Sequence, residues 1–159
     1  MHLKWCPLVC LLLFKQEPKP KWSLQPDSTT PFSRPETNSL VIDSEEDTLI
    51  AGCGDNKVYV WDISSGDRKH VLEGHIDFVH SVSLLRKDKQ IVSASEDGLV
   101  KFWDPRCDTR GSTACVGQIE PNQLEMAQRT SVGGWVSCLD ISPSEDWMVS
   151  GLLAICLFV

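Results

Sequence analysis

The sequence predicts an all-β chain built from repeated antiparallel units of about 42 residues. From Asn38 onward, short runs rich in β-branched and aromatic residues alternate with turns of Gly, Asp, Asn and Ser. Two Trp-Asp pairs, at 61–62 and 103–104, lie 42 residues apart. The apolar residues show no strong spacing of 3.6 that would indicate helices.

Further landmarks stand in register with the two Trp-Asp pairs. A turn aspartate precedes each tryptophan by six residues: Asp55 before Trp61, and Asp97 before Trp103. A Gly-His pair ends at His75, with 27 residues between this histidine and Trp103. One Trp-Asp pair alone would mean little, whereas two in register with these landmarks are a specific signal.

A third, degraded copy follows at a larger offset. Residues 78–82 align with 135–139 at an offset of 57, and the same offset places Ser150 opposite Ser93. The extra length fits a longer loop at 105–131. The offset places the third tryptophan at position 160, so we expect the last unit to be truncated.

These landmarks resemble the WD40 repeat, in which Gly-His and Trp-Asp recur at a period of about 40–45 residues. The resemblance implies an all-β WD40 β-propeller fragment with about two and a half to three four-stranded antiparallel blades. We expect blades at about 38–72, 75–119 and 132–159. Residues 1–37 form a non-propeller segment and linker with one outer strand near 21–24. Because propellers close into rings, we expect the complete protein to be roughly twice as long.

In the WD40 family a buried hydrogen-bonded tetrad stabilises each complete blade. Its members here are His75, Ser93, Asp97 and Trp103, with Ser95 as the alternative serine. Such a network is useful only when every member is satisfied, because an orphaned buried polar group costs roughly 1–3 kcal/mol. The rival interpretation is a catalytic triad of His75, Asp97 and Ser93, but no nucleophile-elbow motif accompanies it.

The other two blades hold partial tetrads. The first keeps Asp55 and Trp61, while Ala51 replaces the serine. The third keeps Ser150 and has Val132 in the place of the histidine.

Partner-binding candidates follow from the family pattern, in which residues after Gly-His and before the turn aspartate face the binding surface. They are Asp77, Phe78, His80, Glu96 and Trp135. Aromatic side chains are enriched at binding hot spots, so Phe78 and Trp135 are the leading candidates. The alternative is that both pack into the neighbouring blade. Cys138 is predicted to be a small core residue.

The detail of five segments is similar to the THO complex subunit six family. They are residues 36–40, 71–80, 95–104, 133–139 and 146–149. This resemblance implies a non-enzymatic protein–protein scaffold of the THO/transcription-export complex, acting in mRNA processing and nuclear export. Its partners would be other protein subunits, and it would meet RNA only indirectly, through the complex.

Composition narrows the remaining function classes. A formal net charge of -7 argues against this chain alone binding a phosphate backbone. We find no metal-ligand spacing, phosphate loop or paired catalytic carboxylates, so we expect no metal, no cofactor, no small-molecule substrate and no enzymatic activity.

The apolar residues 5–14 resemble a signal peptide, but no small-residue cleavage site follows and the run is too short to span a bilayer. We therefore expect a nuclear protein, with the cytoplasm as the alternative, and neither secretion nor a membrane partner.

Two other functions stay open at this point. One is a WD40 adaptor of another pathway, such as a ubiquitin-ligase substrate receptor. The other is a secreted or hydrolytic β-propeller.

Overall fold

The structure is a computed structural model that describes residues 11–12, 23–24, 35–107, 114–123, 134–152 and 155–158. These residues form thirteen β-strands and two short 3-10 helices, Pro105–Cys107 and Pro121–Gln123. The strands are β1 (Leu11–Leu12), β2 (Ser23–Leu24), β3 (Thr37–Asp43), β4 (Thr48–Cys53), β5 (Lys57–Asp62), β6 (Arg68–Glu73), β7 (Val79–Leu85), β8 (Gln90–Ser95), β9 (Val100–Trp103), β10 (Cys115–Ile119), β11 (Val136–Ile141), β12 (Met148–Leu152) and β13 (Ile155–Phe158).

Three consecutive antiparallel sheets make up most of the described chain. The first sheet has the order β3-β4-β5-β6, and the second β7-β8-β9-β10. In the third, the described residues form three strands in the order β11-β12-β13. The inner strands β3, β7 and β11 pack side by side. This architecture confirms the predicted fold class, an all-β chain of successive blades.

Each inner hairpin turns through a residue whose backbone is left-handed. The φ angles are 52° at Asp47, 56° at Lys89 and 61° at Glu145. Aspartate tolerates this region because its short side chain bonds the local backbone, whereas lysine and glutamate gain no such benefit. The Glu145 carboxylate accepts hydrogen bonds from the backbone N–H groups of Arg86 and Lys87, so the third inner turn is fastened to the second.

Apolar side chains fill the space between neighbouring sheets. Between the first and second sheets these buried side chains are Ile50, Val58, Val60, Leu72, Val79, Val82, Ile91, Trp103 and Ala114. Between the second and third sheets they are Val92, Ala94, Val100, Val136 and Leu139. Full burial of a side chain the size of valine or leucine stabilises a protein by roughly 1.5–3 kcal/mol, so these two layers hold the sheets together.

A serine in each of the first two inner strands joins its sheet to the next. Ser39 Oγ accepts a hydrogen bond from Val82 N at 3.1 Å, and Ser81 Oγ accepts one from Leu139 N at 3.2 Å. Both serines follow a β-bulge, where the local register shifts by one residue. Cys138 follows the corresponding bulge in β11.

The prediction that Cys138 is a core residue is wrong, because its side chain is exposed. The bulge between Val136 and Cys138 changes the alternation of the strand, so that Val136 and Leu139 face inward while Cys138 faces outward. Its sulfur lies over Gly151, where an added Cβ would be only 2.2 Å away.

A small sheet accompanies the first blade. The strand near 21–24 is β2, and it pairs with β1 in a two-stranded sheet of its own. Leu24 is buried in a cluster with the face of the first sheet that carries Tyr59 and Trp61. Val132 and most of residues 5–14 lie outside the described residues. Within the described part of the chain, no helix has the length and apolarity needed to cross a membrane.

Candidate functional site

The four residues of the second tetrad form one connected chain of hydrogen bonds. Asp97 Oδ2 lies 2.7 Å from His75 Nδ1, and His75 Nε2 lies 2.7 Å from Ser93 Oγ. The indole N–H of Trp103 donates to Ser93 Oγ at 2.7 Å. With Nδ1 of the imidazole protonated, Ser93 donates to Nε2 and accepts from Trp103, so every polar atom along the chain has a partner.

The same distances would suit a catalytic triad, but Ser93 is not accessible in this structure. It is 0% exposed, and its oxygen already accepts the indole N–H of Trp103. A nucleophile must reach a substrate carbonyl, so this burial favours a structural role for the arrangement.

Ser95, the alternative serine, forms hydrogen bonds with the loop and not with the tetrad histidine or tryptophan. Its hydroxyl donates to Asp77 O at 3.0 Å and accepts the Asp97 backbone N–H at 3.1 Å. Asp97 in turn accepts the backbone N–H of Ile76 at 3.1 Å. Ser95 and Asp97 thus fix the loop that leads from His75 into β7.

The carboxyl of Asp97 is held ionised by these contacts. Burial acts to raise its pKa, but the hydrogen bond from His75, together with those from the Leu99 and Ile76 amides, outweighs burial and lowers it. The side chains of Asp97 and His75 are each 1% exposed, so solvent does not screen the pair.

At one end of the sheets lies a surface that we call the entry face. It consists of residues 74–78 before β7, residues 134–135 before β11, and the turns after β4 and β8. Three large apolar side chains are exposed there. Ile76 is 82% exposed, Phe78 48% and Trp135 46%. About half of the surface of Phe78 and of Trp135 is thus exposed, which favours contact with a partner over complete packing into the neighbouring blade. Both residues remain candidates for partner binding.

The turn after β8 connects the loops that carry these side chains. Glu96 N donates to Phe78 O at 2.9 Å. Gly98 has a φ of 83° and lies so close to Gly134 O that a Cβ would approach it to 2.7 Å. Only glycine fits this position, and the close contact places the turn against the backbone just before Trp135.

Of the other candidates, His80 and Glu96 contact each other, and the Asp77 side chain forms a hydrogen bond with the backbone of its own loop. His80 Nε2 lies 3.1 Å from Glu96 Oε2, and the two side chains are 30% and 18% exposed. Asp77 Oδ1 accepts the Phe78 backbone N–H at 2.9 Å. All five predicted contact residues therefore belong to one surface.

The partial tetrads are completed differently or not at all. In the first sheet, Tyr59 OH donates to Asp55 Oδ2 at 2.6 Å, while Asp55 Oδ1 is buried with no hydrogen-bond partner. Tyr59 also stacks on Trp61, with ring centroids 5.3 Å apart. Ser150 Oγ is likewise buried and unpaired. The second sheet thus has the one complete tetrad among the described residues.

Sequence reasoning missed two exposed side chains and one buried partner. The position of Ile76 directly after Gly74-His75 could have marked it as a candidate contact residue, but the sequence could not have shown that its side chain is exposed. Trp147 is 60% exposed in the β11–β12 turn, at the opposite end of the sheet from Trp135. Tyr59 stands where the second repeat has Lys101, and nothing in the repeat pattern marks it as a bond to Asp55.

The protein-family model described as "WD domain, G-beta repeat" matches residues 32–62, 66–104 and 128–153 of this chain. The chain belongs to the WD40 repeat family. The WD40 matches reach all three sheets but leave out β10 and β13, and the complete tetrad lies in the second sheet.

The same WD40 repeats are similar to those of THO complex subunit 6 proteins. The Danio rerio homologue is 36% identical over 139 residues, which cover 87% of this chain and 41% of the relative. The Homo sapiens protein is 33% identical over 139 residues, 87% of this chain and 39% of the relative. The Arabidopsis thaliana protein is 31% identical over 153 residues, 95% of this chain and 37% of the relative. The chain thus spans about two fifths of the length of the relatives that it matches, and the predicted resemblance is confirmed.

Proposed function

We propose that this chain acts as a protein–protein interaction scaffold in a THO-type complex, and that it contributes to mRNA processing and nuclear export. The single observation that carries the proposal is the similarity to THO complex subunit 6 over 87% of the chain. The entry face supplies the contact surface, because Phe78 and Trp135 are exposed apolar side chains there and Phe78 lies in the loop that the complete tetrad fixes.

The proposal includes the organisation and location of the chain. The repeats extend from about residue 32, where the WD40 match begins, to about residue 159, and the residues before them form a separate segment. The protein works in the nucleus, does no catalysis, and meets RNA only through its partner subunits. The net charge of -7 supports the last point, because nucleic-acid binding requires clustered cations.

The experiment is a pull-down of the tagged chain from nuclear extract, with captured proteins identified by mass spectrometry. We expect subunits of the THO complex among them. In the Phe78→Ala/Trp135→Ala double variant their recovery should fall about tenfold or more, as is usual for aromatic hot spots. The Trp147→Ala variant is the matched control, since it removes an exposed indole from the opposite end of the third sheet.

Two outcomes would overturn the proposal. Capture of ubiquitin-ligase subunits in place of THO subunits would assign the chain to an adaptor of another pathway. Capture of chaperones alone would remove the scaffold function from this chain. Equal losses in the double variant and in Trp147→Ala would move the contact away from the entry face.

A further inference from the structure

A strand residue outside the tetrad supports the loop that carries Ile76 and Phe78. Lys101, in β9, is only 9% exposed, and its Nζ donates a hydrogen bond to Gly74 O at 2.7 Å. We infer that Lys101 is a positioning residue for partner binding: it holds the Gly74 end of this loop and so fixes where Phe78 is presented. The inference rests on the proposed function, because it concerns the same surface.

The ammonium of Lys101 is committed to the backbone of the loop. A lysine is rarely buried without a partner, because removing its charge from water is costly. Among the described residues the ammonium contacts the Gly74 carbonyl and the ring of Trp103, whose centroid lies 6.0 Å from Nζ. A hydrogen bond from a charged donor is roughly twice as strong as one between neutral groups. The bond to Gly74 O therefore satisfies the buried charge and holds the loop at the same time.

Gly74 is the point at which the chain passes from the first sheet to the second. It follows Glu73, the last residue of β6, and precedes His75 of the tetrad. Its φ of 149° favours glycine, and an added Cβ would lie 3.3 Å from Trp103 Cη2. The Gly74 backbone therefore packs on the indole, and the neighbouring Lys101 holds its carbonyl.

The remainder of the loop is held from a different place. Residues 76–78 are bonded by residues 95–97, at the end of β8 and in the turn that follows. Lys101 instead reaches the loop from within β9. Loss of its bond would release the Gly74 end while the contacts at 95–97 stay in place. The loop would then sample more conformations, so a partner that docks on Phe78 would bind with a larger entropy cost.

The first sheet provides a matched control, because a different residue occupies the equivalent position. Tyr59 stands 42 residues before Lys101 and donates its hydroxyl to Asp55 Oδ2 at 2.6 Å. That bond joins β5 to the turn after β4, within the first sheet. Removing the Tyr59 hydroxyl should therefore lower stability without loosening residues 74–78.

The test compares local order with partner capture in the 159-residue chain. Lys101→Met removes the ammonium and keeps a flexible, unbranched side chain, so that packing on Trp103 is retained. By hydrogen–deuterium exchange with mass spectrometry, segment 73–79 should exchange about tenfold faster in this variant, as expected for loss of a charge-assisted hydrogen bond. Recovery of THO subunits from nuclear extract should fall about three- to tenfold, because the loop is less ordered before binding.

Two further variants separate positioning from general destabilisation. Lys101→Arg keeps a charged donor on a long side chain and should restore most of the slow exchange and of the capture. Tyr59→Phe removes a hydrogen bond in the first sheet and should leave both measurements within about twofold of the unaltered chain, as expected for independent sites. Urea midpoints verify that each variant is folded.

Unchanged exchange of segment 73–79 in Lys101→Met overturns the inference, as does faster exchange with undiminished capture. Equal effects of Lys101→Met and Tyr59→Phe on both measurements would indicate general destabilisation and overturn it as well. Exchange is measured without any partner. Failure of the unaltered chain to recover THO subunits would therefore overturn the proposed function, whereas the exchange result still decides whether Lys101 positions the loop.

Discussion

Removing the hydroxyl of Ser93 should destabilise the fold more than any other loss of a single oxygen in the second blade. The hydroxyl bonds both His75 Nε2 and Trp103 Nε1 at 2.7 Å, and Ser93 is 0% exposed. In Ser93→Ala both nitrogens lose their partner inside the protein. Each buried orphan costs about 1–3 kcal/mol, so we expect a loss of about 2–5 kcal/mol in the free energy of unfolding.

Urea denaturation followed by tryptophan fluorescence measures this loss, with the m-value checked for two-state behaviour. The control is Ser83→Ala, a half-buried serine on β7 outside the tetrad, for which we expect a change within about 0.5 kcal/mol. If Ser93→Ala lies within about 0.5 kcal/mol of this control, the tetrad contributes no more than ordinary polar contacts, and the reasoning about orphaned groups is refuted.

Three further predictions concern single side chains. Ser81→Ala removes the acceptor for Leu139 N and should lower the free energy of unfolding by about 1 kcal/mol, measured by the same urea titration; an unchanged midpoint would show that the serine does not join the blades. The folded-state pKa of Asp97 is below its ordinary value of 3.8, so its ionised form contributes stability that is present above about pH 4 and lost as pH falls through the folded-state pKa. The Asp97→Asn variant should therefore lose less free energy of unfolding between pH 5 and 3 than the unaltered protein. An equal loss in both proteins would contradict the assignment. Iodoacetamide at pH 8 should label the exposed Cys138 in the folded protein and leave Cys53 unlabelled, because Cys53 is buried and burial raises the pKa of its thiol to about 12. Labelling is measured by peptide mass spectrometry, and equal labelling of the two cysteines would show that the first sheet opens.

The alignment of the two repeats places Asp97 and Trp103 in register with Asp55 and Trp61. The tetrad itself, with His75 and Ser93, was predicted from the resemblance to the WD40 family, because the first repeat has no Gly-His. The choice between Ser93 and Ser95 could not be made from sequence, since residues two apart in a strand point to the same face. The structure decides it, because the Ser93 hydroxyl accepts the indole N–H of Trp103, while the Ser95 hydroxyl donates to Asp77 O in the loop.

Other features depend on irregularities that spacing does not encode. Cys138 was predicted to be in the core because cysteine is a small residue that is usually buried, and the bulge at the start of β11 turned it outward. The bond from Tyr59 to Asp55 arises because a phenol reaches the aspartate that has no visible histidine partner in the first sheet. The bulge in β11 and the hydrogen bond from Tyr59 each occur in one repeat only. A pattern common to all repeats therefore cannot predict them.

The structural and binding residues share the same loops, which explains how a buried network serves an exposed surface. Asp97 bonds the imidazole of His75 inside the blade and the backbone of Ile76 at its rim. Ser95 joins that aspartate to the carbonyl of Asp77. Ile76 and Phe78 are therefore held in place before any partner arrives, although their side chains contact solvent. A partner that docks on fixed side chains avoids most of the entropy cost of ordering a loop, so a few exposed apolar groups can give useful affinity. Under the proposed function, the buried tetrad acts on binding through the loop that it holds in place, without contacting the partner.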